Sequence, residues 1–276
     1  MKRADLHIHS TSSDGSFTAE ELLILASKHN INCISITDHD SIGSLEAALN
    51  LSPKYNIEFI PGIEFGTDLN DLEELHILGY YIDYKNTRLL EELEKIKLYR
   101  YQRAIKIIER LNKLGLKIDI EEIKEVANLK ESIGRPHIAE VLYKKGFVNS
   151  IKEAFERFIG KNCYAYVPRY KLKPEQIIEL IKISKGISVI AHPGTLKEIK
   201  ILDYLRDIGI NGIEVYHYKH DLKQIEYFKN YAEKHGMLIT GGTDFHGLKS
   251  DNIPFGLITI EYDYVLKLKD YLKKYM

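Results

Sequence analysis

The period of the apolar positions changes twice along the chain. At the start, short apolar runs alternate with amphipathic ones. Ala4-Asp5-Leu6-His7-Ile8-His9 alternates with period two and reads as a strand. Thr18-Ala19-Glu20-Glu21 is a capping box, which predicts a helix from there to about His29. Residues 31–36 read as the next strand, 44–51 as a short helix, 57–63 as a third strand and 74–81 as a fourth. Strands alternating with helices predict parallel β-α units.

The middle of the chain is helical in pattern from about Asn86 to Phe158. Leu89, Leu90, Leu93, Ile96, Ile105, Ile108 and Leu111 line apolar faces of one long helix or of two consecutive ones. Gly115 should end that stretch. Pro136 suits the first position of another helix that stops near Gly146, and Asn149 or Ser150 opens the next. Alternation then returns. Residues 173–185, 196–208 and 220–235 read as helices, and 187–191, 212–216, 238–241 and 257–260 as strands before a terminal helix. The pattern predicts an α/β protein of about seven strands, with a barrel from 1–98 and 166–276 and a helical insertion at 99–165.

A length of 276 residues suits one large α/β domain with a small insertion. The formal net charge of −1 gives no support to stable duplex DNA binding, although a local pocket for a small anion is allowed. The two cysteines, Cys33 and Cys163, make no C-x-x-C pair and no disulfide framework. The first residues lack an apolar leader, and no apolar run approaches the ~20 residues of a membrane helix. A soluble, cytoplasmic protein without a membrane partner is the expectation.

The polar residues that interrupt the apolar pattern fall where strands finish. His7 and His9 are spaced to share one face of a strand. Asp14 follows in the loop. His39, within Thr37-Asp38-His39-Asp40, ends the second strand, Glu64 ends the third, and His76 lies on the fourth. His192 ends the fifth, and Asp244 and His246 follow the penultimate one. In α/β barrels active sites are built on this rim. Imidazole and carboxylate suit Zn²⁺, Mn²⁺ or Fe²⁺. Six histidines and three carboxylates exceed what one ion needs, so two or three divalent ions are expected. A lone histidine is ordinarily structural or solvated; His29 and His235, at helix C-termini, fit that description. An isolated H-x-H is weak evidence, whereas several separate strand ends agreeing is strong.

These blocks carry a resemblance. Asp5-Leu6-His7-Ile8-His9-Ser10, Ser13-Asp14-Gly15, Thr37-Asp38-His39-Asp40, Pro61-Gly62-Ile63-Glu64, Ala191-His192-Pro193-Gly194 and Gly242-Thr243-Asp244-Phe245-His246-Gly247 resemble the polymerase-and-histidinol-phosphatase (PHP) domain family. The resemblance implies a distorted seven-stranded β/α barrel and a metal-dependent phosphoesterase. It also implies three ion positions. One would take His7, His9, Glu64 and Asp244, a second would share Glu64 and add His76 and His192, and the third would take Asp14, His39 and His246. A hydroxide between two ions bridged by Glu64 would attack phosphorus in line with the leaving alcohol.

Gly134-Arg135-Pro136-His137-Ile138-Ala139 resembles the small stand-alone members, which are similar to nucleoside 3',5'-bisphosphate phosphatases and 5'-to-3' exoribonucleases. Arg135 precedes a proline-initiated helix, where free N–H groups favour an anion, and its guanidinium matches phosphate oxygens. His137 is a substrate contact or a packing and capping residue. His217, after Gly212-Ile213-Glu214-Val215-Tyr216, would contact phosphate or protonate the leaving group; His220 competes with it, and either is alternatively a helix-start residue. Asp38 and Asp40 flank His39 and suit support of the ligands, and Asp38 alternatively caps the turn. Any of Tyr80, Tyr81, Tyr99, Tyr101 and Tyr166 could stack on a base, though core or surface packing is their commoner use. The expected substrate is a small phosphorylated molecule, a nucleotide or short RNA. Histidinol phosphate is the alternative within the family. A metal-dependent amidohydrolase ranks lower, because the extra ligands Asp14, His39 and His246 fall outside the pattern of those barrels. A non-catalytic module ranks last, because no ligand position is lost.

Overall fold

The computed structural model describes residues 2–69, 73–127, 133–247 and 253–275. The chain divides into two compact units, Met1–Leu90 with Leu172–Met276, and Glu91–Lys171.

The first unit holds the sheet. Its strands are β1 (Arg3–Ile8), β2 (Cys33–Ile36), β3 (Glu58–Leu69), β4 (Glu73–Tyr80), β5 (Ile187–Ile190), β6 (Gly212–Tyr216), β7 (Leu238–Gly241) and β8 (Ile260–Glu261). They form one eight-stranded sheet in the order β7-β6-β5-β4-β3-β2-β1-β8. Each segment read as a strand has its counterpart here, eight in all against the expected count of about seven; the last, expected at 257–260, is a two-residue edge piece antiparallel to β1. The sheet comes close to closing on itself. Beyond β7, Asp244 N–H donates to His7 O (2.8 Å) and His9 N–H to Phe245 O (2.9 Å).

Parallel pairing holds for β1/β2, β2/β3, β5/β6 and β6/β7. It fails around β4, which runs antiparallel to both β3 and β5. A parallel neighbour needs a crossover of roughly a dozen residues, and only residues 70–72 separate β3 from β4. The same pairing lengthens β3 to Leu69, so Glu64 lies inside a strand rather than at its end.

The helices around this sheet are α1 (Ala19–Lys28) and α2 (Leu45–Leu51), with four more after the second unit in sequence. Thr18 caps α1 with the reciprocal Glu21 contact expected of the capping box. The division falls within α3 (Thr87–Lys113), one helix of 27 residues. Its buried stripe is Leu89, Leu93, Ile96, Ala104, Ile107, Ile108 and Leu111. Leu90 is exposed and Ile105 half-buried, because a 3.6-residue period carries both positions off the stripe.

The second unit adds α4 (Ile120–Val126), α5 (Arg135–Lys144) and α6 (Ile151–Ala154). They pack Ile123, Ile138, Leu142 and Ala154 against Ala104, Ile107 and Leu111. Pro136 occupies the second position of α5, not the first. Ser150 caps α6. Back in the first unit come α7 (Pro174–Ile183), α8 (Ile201–Asp207), α9 (Leu222–His235) and α10 (Tyr262–Tyr275). Val265 and Leu268 of α10 join Ala4, Leu6, Ile60, Leu78, Tyr80 and Val189 in the core of this unit. No helix among the described residues is long and apolar enough to cross a membrane.

Candidate metal centre

Period-two alternation sends Ala4 and Leu6 of β1 into the apolar core and turns Asp5, His7 and His9 the other way. The two imidazoles stand 5.2 Å apart, centroid to centroid, on the face the spacing predicts. From β3, Glu64 reaches the same space with almost no solvent exposure. The register Gly66↔His76 places His76 diagonally across the hairpin from Glu64, on the same face. His39 bridges to Glu64 from the end of β2.

Glu64 is the hub of the site. Its Oε2 lies 3.0 Å from His39 Nδ1, 3.2 Å from His9 Nε2 and 3.4 Å from His7 Nε2. Its Oε1 lies 2.9 Å from His76 Nδ1 and 3.1 Å from His192 Nε2. Asp244 Oδ1 stands 3.2 Å from His9 Nε2 and 3.4 Å from His7 Nε2. Asp14 faces His246 Nε2 at 3.4 Å and both His9 Nδ1 and His39 Nε2 at 3.8 Å. All nine residues expected as ligands thus converge. Ligand atoms of His9, Asp14, His39 and His246 lie within 4.8 Å of one another, as do those of His7, His9 and Glu64, and of His39, Glu64 and His76.

Three hydrogen bonds give these contacts their meaning. His7 Nδ1–H donates to Glu214 Oε1 (3.0 Å) and His246 Nδ1–H to the Asp244 carbonyl (2.9 Å). His192 Nδ1–H donates to Thr195 Oγ1 (3.3 Å), whose own proton goes to the His192 carbonyl. The opposite nitrogen of each ring is then the one that faces a carboxylate oxygen, the place where a proton or a cation can sit between them. His7 Nε2, both nitrogens of His9 and Glu64 Oε2 are buried without a hydrogen bond of proper geometry. Ligands on ~2.1 Å bonds to one ion stand roughly 3.0–3.4 Å apart, which is the spacing found here. The residues fit divalent cations.

Electrostatics agree. Burial alone would raise the carboxyls, yet the surrounding imidazoles hold Glu64, Asp14 and Asp244 well below the usual carboxylate range. Burial holds His39 down to about 4 and also lowers His192. Burial works against charge on His7 too, but Glu214, Glu64 and Asp244 carry it well above its ordinary value. Asp244 and Glu64 likewise carry His9 up to about 10. Three anions and two cationic imidazoles around one point describe a site in which protons stand in for metal.

Backbone strain gathers here. His192 (φ 30), Asp244 (φ 53) and Asp40 (φ 49) all occupy the left-handed region, which disfavours side chains other than glycine. Gly242 lets β7 come against β1, since a Cβ there would lie 2.3 Å from His7 N.

The flanking carboxylates support rather than face the centre. Asp38 accepts from Ser10 N (2.7 Å), Ser10 Oγ (2.6 Å), Ser13 Oγ (2.6 Å) and Ser44 Oγ (2.7 Å), and so shapes the loop that carries Asp14. Asp40 Oδ1 accepts from Gly66 N at 3.4 Å. Asp5 accepts from Thr243 N and Oγ1 at 2.9 and 2.6 Å, and burial raises its carboxyl to about 7. Glu214, which sequence reasoning did not single out, lies on β6 and is fully buried. The available signal was an acid set between the buried Ile213 and Val215.

His217 accepts from Lys219 N at Nδ1 (3.2 Å), so its Nε2–H donates to Asp244 Oδ2 (3.3 Å). His220 uses both nitrogens internally: Nδ1–H donates to Val215 O (2.9 Å) and Nε2 accepts from Gly194 N (3.0 Å). That leaves the His220 ring no nitrogen for a substrate. Arg135 and His137 belong to the second unit. There Arg135 donates to Ile159 O (3.3 Å) and lies over the Phe155 and Tyr166 rings, and His137 Nδ1 caps α5 at Gly134 N (3.2 Å). Tyr80 is core, its hydroxyl on Leu6 O at 3.0 Å.

Comparison with known proteins gives a consistent picture. The PHP domain profile matches residues 5–194. A 3',5'-nucleoside bisphosphate phosphatase of Chromobacterium violaceum is 31% identical, covering 89% of this chain and 88% of its own. A phosphoribosyl 1,2-cyclic phosphate 1,2-diphosphodiesterase of Eggerthella lenta is 27% identical over 88% of this chain and 94% of its own. A 5'-3' exoribonuclease of Haemophilus influenzae is 29% identical over 89% and 90%. Among solved structures, a Bifidobacterium adolescentis protein assigned as a metal-dependent phosphoesterase superposes with a TM-score of 0.84. It is 27% identical and aligned over 96% of this chain and 94% of its own.

Proposed function

This chain belongs to the PHP domain family and is a metal-dependent phosphoric ester hydrolase, and we propose that it hydrolyses phosphate esters of nucleotides, releasing phosphate from a nucleoside 3',5'-bisphosphate or mononucleotides from the 5' end of a short RNA. The observation that carries the reading is the double role of Glu64, one buried carboxylate that meets five imidazoles from four parts of the chain on its two oxygens. A carboxylate so placed suits a bridge between ions. Divalent ions held there would polarise the phosphoryl oxygens and lower the pKa of an attacking water.

The chain's own residues do the rest. His7, His9, Glu64 and Asp244 are proposed as one ligand set, Glu64, His76 and His192 as a second, and Asp14, His39 and His246 as a third. His217, proposed as a phosphate contact and proton donor to the leaving alcohol, spends Nδ1 on Lys219 N and its Nε2–H on Asp244 Oδ2, so that role requires the Nε2–H to leave Asp244 for the substrate. In the second unit, Arg135 is proposed to take a phosphate oxygen. The nucleotide reading draws on the names of the Chromobacterium and Haemophilus relatives.

Release of phosphate or of mononucleotide with defined metals tests it. With Mn²⁺, a nucleoside 3',5'-bisphosphate or short 5'-phosphorylated RNA should exceed both histidinol phosphate and a ribosyl cyclic phosphate by at least about tenfold in kcat/KM. Preferential turnover of either competitor would replace the nucleotide reading.

A further inference from the structure

Glu214 occupies the middle of β6 and has no exposure to solvent. A charged carboxylate is rarely kept in such a place without partners for both oxygens. Here each oxygen has its own. Oε1 accepts from His7 Nδ1–H at 3.0 Å, and Oε2 accepts from the backbone N–H of His192 at 2.7 Å. The first bond keeps the Nδ1 proton in place, so that Nε2, which faces Glu64 and Asp244, is the nitrogen that gives up its proton to a cation. The second holds the backbone of His192, whose φ of 30° is one that side-chain-bearing residues resist. His192 in turn places its Nε2 on Glu64 Oε1.

We propose that Glu214 is a positioning residue of the metal centre. A single carboxylate behind the ligands sets the ring of His7 and the backbone of His192, and so ties together residues of two ligand sets that meet only at Glu64. Glu214, His7 and His217 also bring ligand atoms close enough to hold an ion themselves. Both Glu214 oxygens are already taken up by donors, which favours support over direct ligation. Acting through other residues, Glu214 changes how tightly the ions are held rather than the chemistry they perform. The inference rests on the metal reading of the site and is independent of the substrate.

The test uses Mn²⁺ alone, titrated calorimetrically into the metal-free wild type and Glu214→Gln. An amide offers one oxygen, so one of the two bonds is lost and an N–H faces an N–H. The variant should keep its circular dichroism and bind Mn²⁺ about 10–100-fold more weakly. Saturating Mn²⁺ should recover most of kcat with KM unchanged, a split that a merely weakened fold does not produce. Equal affinity in the two proteins overturns the proposal. A wild type that binds no Mn²⁺ overturns the metal reading instead. Should the variant not fold, nitrogen NMR of the wild type loaded with diamagnetic Zn²⁺ decides. His7 must carry its proton on Nδ1, and a proton on Nε2 overturns the assignment.

Discussion

Loading this site with metal should expel protons, and their number follows from the cluster. In the metal-free protein His7 is held well above its ordinary value by Glu214, Glu64 and Asp244, against burial, and His9 is carried up to about 10. Both are cationic at pH 7. Glu64, Asp14 and Asp244 are already anionic, and His39 and His192 are already neutral. Ions that use both His7 and His9 must therefore displace about two protons. A proton and a cation compete for the same lone pair, so affinity rises with pH. Each displaced proton adds about one decade per pH unit, or about 1.4 kcal/mol. From pH 6 to pH 8 the binding of that ion set should strengthen by about 10⁴-fold. Titration of Mn²⁺ at pH 7 in two buffers of different ionisation heat counts the protons directly. Binding that releases none, or whose affinity is flat from pH 6 to 8, would refute the placement of His7 and His9 on the metal.

Other perturbations have equally definite outcomes. Asp14→Ala removes the carboxylate facing His9, His39 and His246; bound metal per chain should fall, and phosphate release should drop by about 10²-fold or more, worth ~3 kcal/mol or more of barrel-rim electrostatics. Gly242→Ala puts a methyl group against His7 N, and thermal or urea unfolding should show a loss of about 1–3 kcal/mol together with weaker metal binding. Arg135→Ala should raise KM for the nucleotide more than it lowers kcat, read from initial rates over a substrate series. The last variant also forfeits the contact with Phe155 and Tyr166, so about 0.5–1 kcal/mol of stability should go with it.

The parts of this site legible in the sequence are those that depend on local periodicity. His7 and His9 share a face because a strand has period two, and that rule needs no partner strand. Asp14, His39, His192, Asp244 and His246 were visible as polar residues at the ends of apolar runs. Glu64 was visible as a candidate ligand but misplaced at a strand end. Only pairing with β4 over eight residue pairs shows that β3 continues, and pairing is a tertiary fact. The reversed direction of β4 was implicit in the short interval before it, and alternation alone does not carry direction. His220 shows the opposite failure. Its identity suggested chemistry, while its two hydrogen bonds connect the turn after β5 to the end of β6, elements adjacent only once the sheet has formed.

The separation of carboxylates into two layers bears on which phosphate the site prefers. Glu64, Asp14 and Asp244 face the ligand nitrogens, whereas Asp5, Asp38 and Glu214 spend their oxygens on serine and threonine hydroxyls, backbone N–H groups and His7 Nδ1. Two dications against three facing carboxylates leave one net positive charge, and three dications leave three. An internucleotide diester carries one negative charge and a terminal phosphate up to two. Each additional pair of opposite charges at ~4 Å is worth about 4 kcal/mol in surroundings of intermediate polarity. The more highly charged centre thus favours the terminal phosphate over the internal link. Ion number and substrate choice are one electrostatic question, because the protein supplies a fixed set of facing anions and the ions decide how much positive charge is left for the phosphoryl group.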